Sequence, residues 1–509
     1  MSAADEPLLA LRTRLAELAA LEEAMGILGW DQEVCMPPGA AESRGRQVAA
    51  IAVLHHGRLC DPALGDLLAR AAERVEGLDS IEAANVREAR RERERALRVP
   101  AELVDRWSRA TVAAHGIWVD ARARSDFAAF APILGELVGL AKARARAIDP
   151  ERAPYEVLLG DFEPGLAAAD LDALFDPLER FLVPFLGAIR GRPAPPRPAA
   201  LDVPVAASEQ QAICRELMTV LGFDWARGRL DVGVHPMTGG AGPCDVRVTN
   251  RYRDDDLLAA IFGAIHETGH ALYEQGRDPA WADQPVSKAR SMGWHESQSL
   301  LWENQVGRSP EFWGFLLPWL GERLPHLRGL EVDAVCGAIA RVDPENPIRV
   351  EADEATYPLH VILRYRLERA LFAGELAVAD LPAAWDEGMR RSLGVTPASD
   401  REGVLQDVHW SGGAFGYFPS YTVGAALAAQ IYATAKAAVP AIPAALGAGE
   451  CGPLRAWLTA AVHRQGSRLE SRALCLQATG GPLTAGPLCE HLRRRIGGVY
   501  GLSDREFGG

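Results

Sequence analysis

A mainly α-helical fold is the class that this amino-acid sequence predicts. Ala, Leu, Arg and Glu dominate the composition, and all four residue types have high or moderate helix propensity. Apolar residues also recur at helical spacing along most of the chain; near the N-terminus, for example, Leu15, Leu18, Met25 and Leu28 form one apolar stripe. Between residues 229 and 253 the pattern changes to strand-like alternation. We therefore expect a large helical body with one small β-sheet.

The chain is long enough for several domains, but we predict a single domain over residues 1–509. Its 509 residues are 48% hydrophobic and 24% charged, which permits one large core. The strongest break in composition runs from Arg190 to Pro198 and is rich in proline, so its backbone should be extended. This segment could separate a helical lobe (1–190) from a catalytic lobe (205–509), or it could be a surface loop within one body.

Charge argues against nucleic-acid and membrane partners. The formal net charge is −14, and Lys and Arg form no concentrated tract. In the run from Arg87 to Arg98, Glu and Arg alternate at i,i+3 and i,i+4 spacing, which predicts a solvated, salt-bridged helix face. The Ala-rich segment from Gly424 to Gly449 is interrupted by Lys436 and two prolines, so we predict that it does not span a membrane.

Cysteine usage and the N-terminus predict a cytoplasmic protein. The eight cysteines lie far apart and include no CxxC pair, as is typical of free thiols in a reducing compartment. The first 30 residues are acidic and then amphipathic, and they lack the basic and unbroken apolar regions of a secretory signal.

The stretch from Ile265 to Gly276 is the one place where residue type and spacing together specify a reaction. Residues four apart lie one above the other on a helix, so His266 and His270 can offer two imidazoles to one metal ion while Glu267 lies beside them. This is the HExxH pattern of zinc proteases. Asp254 to Asp256 offer a cap for the start of the helix, and Gly276 should end it.

A catalytic metal needs a third protein ligand and an open position for water. The metzincin class would require Gly at position 273 and His at position 276, where this sequence has Tyr273 and Gly276, so that class is excluded. We favour Glu296, on a second predicted helix, as the third ligand. The neighbouring His295 and the nearer Glu274 are alternatives, although Glu274 would have to reach back along its own helix.

These residue types indicate metal-assisted hydrolysis of a peptide bond. Water bound by zinc becomes nucleophilic near neutral pH, and a nearby carboxylate can take its proton and pass it to the leaving amine. Glu267 is the candidate for this general base and acid. Charge then develops on the carbonyl oxygen of the substrate, so we expect a fixed donor from His or Tyr beside the metal.

Further motifs lie in order along nearly the whole chain. Those before the metal helix are Trp30-Asp31-Gln32, Met36-Pro37, His235-Pro236 and Asp245-Val246-Arg247-Val248-Thr249. After His266 to His270 follow His295-Glu296-Ser297-Gln298, Ile348 to Glu354, Leu405 to Trp410, Gly416 to Tyr421 and Leu454 to Leu458. Together these motifs resemble those of the carboxypeptidase Taq family of zinc metallocarboxypeptidases.

The resemblance implies a single, largely helical body with a deep groove, usually a homodimer, that removes C-terminal residues from peptides with broad preference. By position in the motifs, one zinc ion would be held by His266, His270 and Glu296, and Glu267 would activate water. Cobalt or manganese could occupy the same ligands. Met237 stands where the family usually has Phe, which leaves the substrate preference open.

A carboxypeptidase must bind the free α-carboxylate of its substrate, and a bidentate arginine suits that group. Arg349 is the first candidate and Arg247 the second. His409, Tyr417 and Tyr421 would stabilise the tetrahedral intermediate or hold the C-terminal residue. Each also has a structural alternative: a strand salt bridge for Arg247, an ion pair with Glu351 or Asp353 at a helix start for Arg349, and core packing for the tyrosines.

The sequence thus predicts a zinc-dependent metallocarboxypeptidase that acts on peptides with a free C-terminus. Two other functions fit the same body. One is a zinc oligopeptidase or dipeptidyl carboxypeptidase, which would also cut a peptide amidated at its C-terminus. The other is a non-catalytic peptide-binding protein, whose signature would be the loss of Glu267 or of a metal ligand, and none of these is missing.

Overall fold

Helices dominate the structure, a computed structural model that describes residues 6–78 and 80–503. Within these residues there are twenty α-helices and one sheet of three strands. The helices of the first half are α1 (Glu6–Val34), α2 (Ala41–Leu59), α3 (Pro62–Val75), α4 (Ile81–Arg98), α5 (Ala101–Arg124), α6 (Phe127–Ile148), α7 (Pro154–Phe162), α8 (Ala168–Arg190) and α9 (Ala207–Leu221). The predicted mainly α-helical fold is confirmed.

The sheet and eleven further helices follow. The strands are β1 (Gly228–Val232), β2 (Met237–Gly240) and β3 (Val246–Asn250). The helices are α10 (Leu257–Gly276), α11 (Met292–Leu300), α12 (Pro310–Arg323), α13 (Val332–Ile339), α14 (Tyr357–Ala373), α15 (Leu381–Leu393), α16 (Pro419–Ala438), α17 (Ile442–Gly447), α18 (Gly452–Ala461), α19 (Ser471–Thr479) and α20 (Gly486–Leu492). A π-helical segment (Leu301–Gly307) continues α11, and such segments are frequent at functional sites.

Local capping signals fix where α10 and α11 begin. The side chain of Asp256 accepts a hydrogen bond from the backbone N–H of Ala259 at the start of α10. Ser291 does the same for Trp294 at the start of α11. These caps satisfy N–H groups that have no partner within the helix. Since α10 also ends at Gly276 as predicted, the sequence itself determines the extent of the helix that carries the HExxH motif.

The three-stranded sheet lies against α10. Its strand order is β1-β3-β2, with β1 parallel and β2 antiparallel to β3. Val246 and Val248 of β3 are buried in one apolar cluster with Met218 of α9 and Ala271 of α10. The strand-like alternation predicted between residues 229 and 253 is confirmed, and β3 is the central strand of the sheet. The edge strand β2 is the one that brings a side chain, Thr238, to the HExxH motif.

The main apolar core runs across the proline-rich segment. It includes Ile189 before that segment, Leu201 and Val205 after it, and Ile265 of α10. Residues 193–198 form neither helix nor strand. The side chains on the two sides of this segment therefore pack into one core and do not form two lobes. The single domain over residues 1–509 stays a prediction.

The prediction of a solvated helix face for the run from Arg87 to Arg98 is wrong for part of α4. Glu88 is buried, and its carboxylate accepts two 2.9 Å hydrogen bonds from Arg290, whose side chain is 1% exposed. Arg87 and Arg91 also form ion pairs with Glu88. The charged run therefore attaches α4 to the body of the protein. None of the described helices has the length and apolar character needed to cross a membrane.

Candidate metal centre and active site

The three predicted metal ligands come together at the crossing of α10 and α11. His266, His270 and Glu296 each offer a ligand atom, and these atoms all lie within 4.8 Å of one another. The Nε2 atom of His270 is 3.2 Å from Oε2 of Glu296. Two imidazoles and one carboxylate are a ligand set of catalytic zinc sites, which leave a fourth position open. The residues present thus fit a divalent metal.

Two glycines let the third ligand approach the HExxH helix. A Cβ atom on Gly269 would lie 2.5 Å from the carbonyl oxygen of Gln298 and 2.6 Å from Cα of Ser299. A Cβ atom on Gly424 of α16 would lie 2.8 Å from Cγ of Glu296. Backbone cannot yield to such contacts without moving a helix. The glycine within the HExxH motif is therefore needed to place α11, and with it Glu296, beside the histidines.

His266 is held by a carboxylate that the sequence analysis missed. Its Nδ1 is 2.9 Å from Oε2 of Glu303 in the π-helical segment, and Glu303 in turn accepts a 2.6 Å hydrogen bond from Arg308. Burial opposes protonation of His266, but the hydrogen bond to Glu303 and the charges of Glu296 and Glu267 raise its pKa to about 10. The site therefore has an excess of negative charge, which a divalent cation would neutralise.

His270 is held by a second histidine. Its Nδ1 is 2.7 Å from Nδ1 of His295, whose Nε2 is 3.1 Å from Oε1 of Glu274. His295 and Glu274, the alternatives for the third ligand, thus lie on the Nδ1 side of His270, whereas Glu296 lies at its Nε2. Burial alone would raise the pKa of Glu274, but the hydrogen bond to His295 and the charge of Arg277 lower it to about 2.

The candidate general base, Glu267, is fixed by a threonine. Glu267 is 6% exposed, and its Oε2 accepts a 2.7 Å hydrogen bond from the hydroxyl of Thr238 on β2. The same hydroxyl is 3.0 Å from the backbone oxygen of Glu267. Nothing in the sequence marks Thr238 beyond its place in the Gly-rich stretch before the metal helix. The sheet therefore contributes directly to the site by orienting Glu267.

A cavity of about 260 Å³ opens beside the ligands. The residues that line it include Thr238, Glu267, His270, Glu296, Tyr417 and Tyr421. The two tyrosine rings meet edge to face, with their centroids 5.3 Å apart. Burial raises the pKa of both phenols, so each keeps its proton at neutral pH and can donate a hydrogen bond.

His409 stands beside these tyrosines. Its Nε2 is 3.1 Å from the hydroxyl of Tyr421. Burial, together with the nearby charges of Arg349 and Arg364, lowers the pKa of His409 to about 4 although Asp407 opposes this. The imidazole is therefore neutral near pH 7 and fixes the hydroxyl of Tyr421.

Arg349 is buried behind Tyr421. Its guanidinium carbon is 5.0 Å from the ring centroid of Tyr421, and the residue is 5% exposed. Its Nε and Nη2 each lie 2.8 Å from Asp407, and its Nη1 donates a 3.0 Å hydrogen bond to Tyr357. The ion pair at the helix start that we considered, with Glu351 or Asp353, is therefore replaced by one with Asp407. Among the described residues these contacts use three of the five N–H groups.

Arg247 of β3 forms an ion pair with Asp245, the residue directly before that strand. Its Nε and Nη2 each donate a 2.8 Å hydrogen bond to the carboxylate of Asp245. Like Arg349 and His409, it is not among the residues that line the 260 Å³ cavity. The structural alternative for Arg247, a strand salt bridge, is thus present, and a role in substrate binding stays a prediction.

Comparison with known proteins gives one consistent result. A family model described as Carboxypeptidase Taq (M32) metallopeptidase matches residues 10–496. Thermostable carboxypeptidase 1 of Thermus thermophilus is 40% identical over 98% of this chain and 99% of its own length. Carboxypeptidase 1 of Bacillus subtilis is 35% identical over 96% of this chain and 97% of its own.

Solved structures agree with the sequence comparison. The crystal structure of the M32 carboxypeptidase from Deinococcus radiodurans R1 is similar with a TM-score of 0.94 and 37% identity, covering 98% of this chain and all of that one. Metallocarboxypeptidase 1 of Trypanosoma cruzi has a TM-score of 0.91 and 36% identity, with coverage of 96% and 99%.

Proposed function

Because the chain belongs to the carboxypeptidase Taq (M32) metallopeptidase family, we propose that it removes C-terminal residues from peptides with the help of one zinc ion. It is a metallocarboxypeptidase, a hydrolase of peptide bonds. The observation that carries the metal assignment is the gathering of His266, His270 and Glu296 within 4.8 Å. Zinc is the metal that this ligand set favours, and cobalt or manganese are the alternatives.

The chemistry divides between the metal and Glu267. A zinc ion held by these ligands would act as a Lewis acid on the attacking water and on the carbonyl of the scissile bond. Glu267 takes a proton from the water and passes it to the leaving amine. Its hydrogen bond from Thr238 keeps the carboxylate directed into the cavity.

Tyr417 and Tyr421 are suited to stabilise the negative charge that develops on the carbonyl oxygen. Both line the cavity that contains Glu267, and burial keeps their phenols protonated. A donor already in place costs no reorganisation when the charge appears. We assign the stabilisation of this charge to Tyr417 and His409, and we assign Tyr421, which is hydrogen-bonded to His409, to holding the C-terminal residue.

Arg349 is our first candidate for the α-carboxylate of the substrate. Asp407 and Tyr357 hold the guanidinium in place. Among the described residues they are bound by three of its five N–H groups, so two N–H groups remain for the carboxylate of a substrate. A preorganised guanidinium can bind a carboxylate in bidentate fashion. Arg247 remains the second candidate.

We also propose broad residue preference, a homodimer and a cytoplasmic location, which rest on resemblance and composition. Light scattering would test the dimer.

Paired peptides test the proposed function. One peptide carries a free C-terminus, its twin is amidated, and both are digested with and without a chelator and followed by mass spectrometry. We expect stepwise loss of single residues from the free acid only, abolished by the chelator, restored by zinc and abolished in Glu267→Gln. Equal cutting of both peptides would instead favour an oligopeptidase, and no metal-dependent cutting after zinc reloading would contradict the enzyme altogether.

A further inference from the structure

The two ligand histidines of α10 are supported in different ways. Glu303 contacts Nδ1 of His266 directly. At His270 an imidazole, that of His295, stands between the ligand and the carboxylate of Glu274. Glu274 is anchored at its other oxygen by a 2.7 Å hydrogen bond from Arg277, whose side chain is 8% exposed.

Hydrogen-bond accounting allows one arrangement of protons along this chain. His270 must present an unprotonated Nε2 to bind a metal, so its proton sits on Nδ1 and is donated to His295. Nδ1 of His295 must then accept, which places the proton of His295 on Nε2. That N–H donates to Glu274, an anion that can only accept. The two imidazole rings are inclined by 21°, with their centroids 4.7 Å apart.

We propose that His295 and Glu274 are positioning residues that hold His270 in the tautomer and orientation needed for metal binding. The inference rests on the proposed function, since it takes His270 as a metal ligand. Glu274 lies one turn further along α10 and reaches His270 only through the imidazole of His295. Because His295 directly precedes Glu296, α11 supplies the third ligand and orients the second at the same time.

This arrangement makes the placement of α11 important for two ligands. Gly269 and Gly424, which permit the close approach of α11, therefore also set the distance between His270 and His295. Loss of an outer hydrogen-bond partner of a ligand typically lowers metal affinity 10- to 100-fold. Metal affinity is thus the quantity that should respond, independently of catalysis.

His463 provides a matched control. Like His295, it places its ring centroid 5.1 Å from the ring of Tyr273. It is 1% exposed, and its Nε2 is hydrogen-bonded to the side chain of Gln298. Its replacement by alanine therefore removes a buried imidazole from the same neighbourhood without removing a partner of His270.

The test is the zinc dissociation constant, measured by competition with a chromophoric chelator on full-length protein after metal removal. Circular dichroism first establishes that each variant is folded. We expect about 10- to 100-fold weaker binding for His295→Ala and unchanged binding for His463→Ala. His295→Asn should bind zinc more tightly than His295→Ala, because its amide oxygen takes the place of Nδ1 and accepts from His270.

The outcomes separate this inference from the function on which it rests. Wild-type protein that binds zinc and cleaves peptides, with unchanged affinity in His295→Ala, would refute the inference alone. The same holds if His295→Ala and His463→Ala weaken binding equally, or if Asn restores nothing. Wild-type protein that fails to bind zinc would refute the proposed function together with the inference.

Discussion

Glu368 offers a sharp test of the energetics of this fold. It lies on α14, is fully buried, and accepts hydrogen bonds from Trp410, from the backbone of Gly416 and from Tyr155 at 2.9, 3.0 and 3.2 Å. Burial raises its pKa from 4.5 to about 7, although these three donors oppose the change. The carboxyl group thereby connects the segments that carry His409 and Tyr417 to the core.

The shifted pKa makes stability depend on pH with a definite sign. Between pH 4.5 and about 7 the folded state binds the Glu368 proton and the unfolded state has released it. The free energy of unfolding therefore falls as pH rises through this window, and the contribution is constant outside it. At about 1.4 kcal/mol per pH unit, the rise to about 7 corresponds to about 3 kcal/mol.

Glu368→Gln removes the titration and keeps the shape of the side chain. The NH2 group of the glutamine cannot accept a hydrogen bond, so one of the three donors loses its acceptor. Near pH 4.5 we therefore expect the variant to be less stable than wild type by about 1–3 kcal/mol. This deficit should shrink by about 3 kcal/mol as pH rises to 7.5. Urea unfolding followed by tryptophan fluorescence, at intervals between pH 4.5 and 8, measures the difference.

Glu88→Gln is the matched control for this experiment. Glu88 is also a buried glutamate, but although burial opposes ionisation, the hydrogen bonds and charge of Arg290 lower its pKa. Its contribution is therefore fully present above pH 4.5 and is lost only as pH falls below that value. The difference between wild type and Glu88→Gln should thus stay constant between pH 4.5 and 8. A difference between wild type and Glu368→Gln that does not change with pH, or that grows as pH rises, would refute the reasoning.

Three further predictions concern the site. Thr238→Val should lower kcat about tenfold, the effect of losing one orienting hydrogen bond, and should leave the zinc content unchanged. Steady-state kinetics and metal analysis measure the two quantities. Loss of metal would contradict the assigned role of Thr238. Gly269→Ala should lower the free energy of unfolding, measured with urea, by more than about 2 kcal/mol. Gly139→Ala on α6 is the control, because a Cβ atom there meets nothing within 4 Å, and it should be neutral or stabilising by up to about 1 kcal/mol. Equal effects of the two substitutions would contradict the close contact at Gly269. Arg349→Gln should raise KM about 10- to 100-fold, since it removes a charged hydrogen-bond donor, and unchanged KM in peptide kinetics would transfer the carboxylate site to Arg247.

Local sequence determined the helical body and the metal helix. The caps at Asp256 and Ser291 and the helix end at Gly276 depend on residues a few positions apart, so they can be read without the fold. The spacing of His266 and His270 likewise fixes two ligands on one helix face. The ordered motifs predicted the family, and the family match over residues 10–496 confirms it.

Tertiary structure alone decided the partners of the site residues. Arg349 pairs with Asp407, which is 58 positions away. Glu267 is oriented by Thr238, which lies in another element. The contacts of Glu303 and His295 depend on how α11 crosses α10. Such contacts arise from the packing of apolar surfaces, which fixes the relative placement of elements. Spacing along the chain carries no information about that placement, so the sequence revealed the ligands while only the fold revealed what holds them.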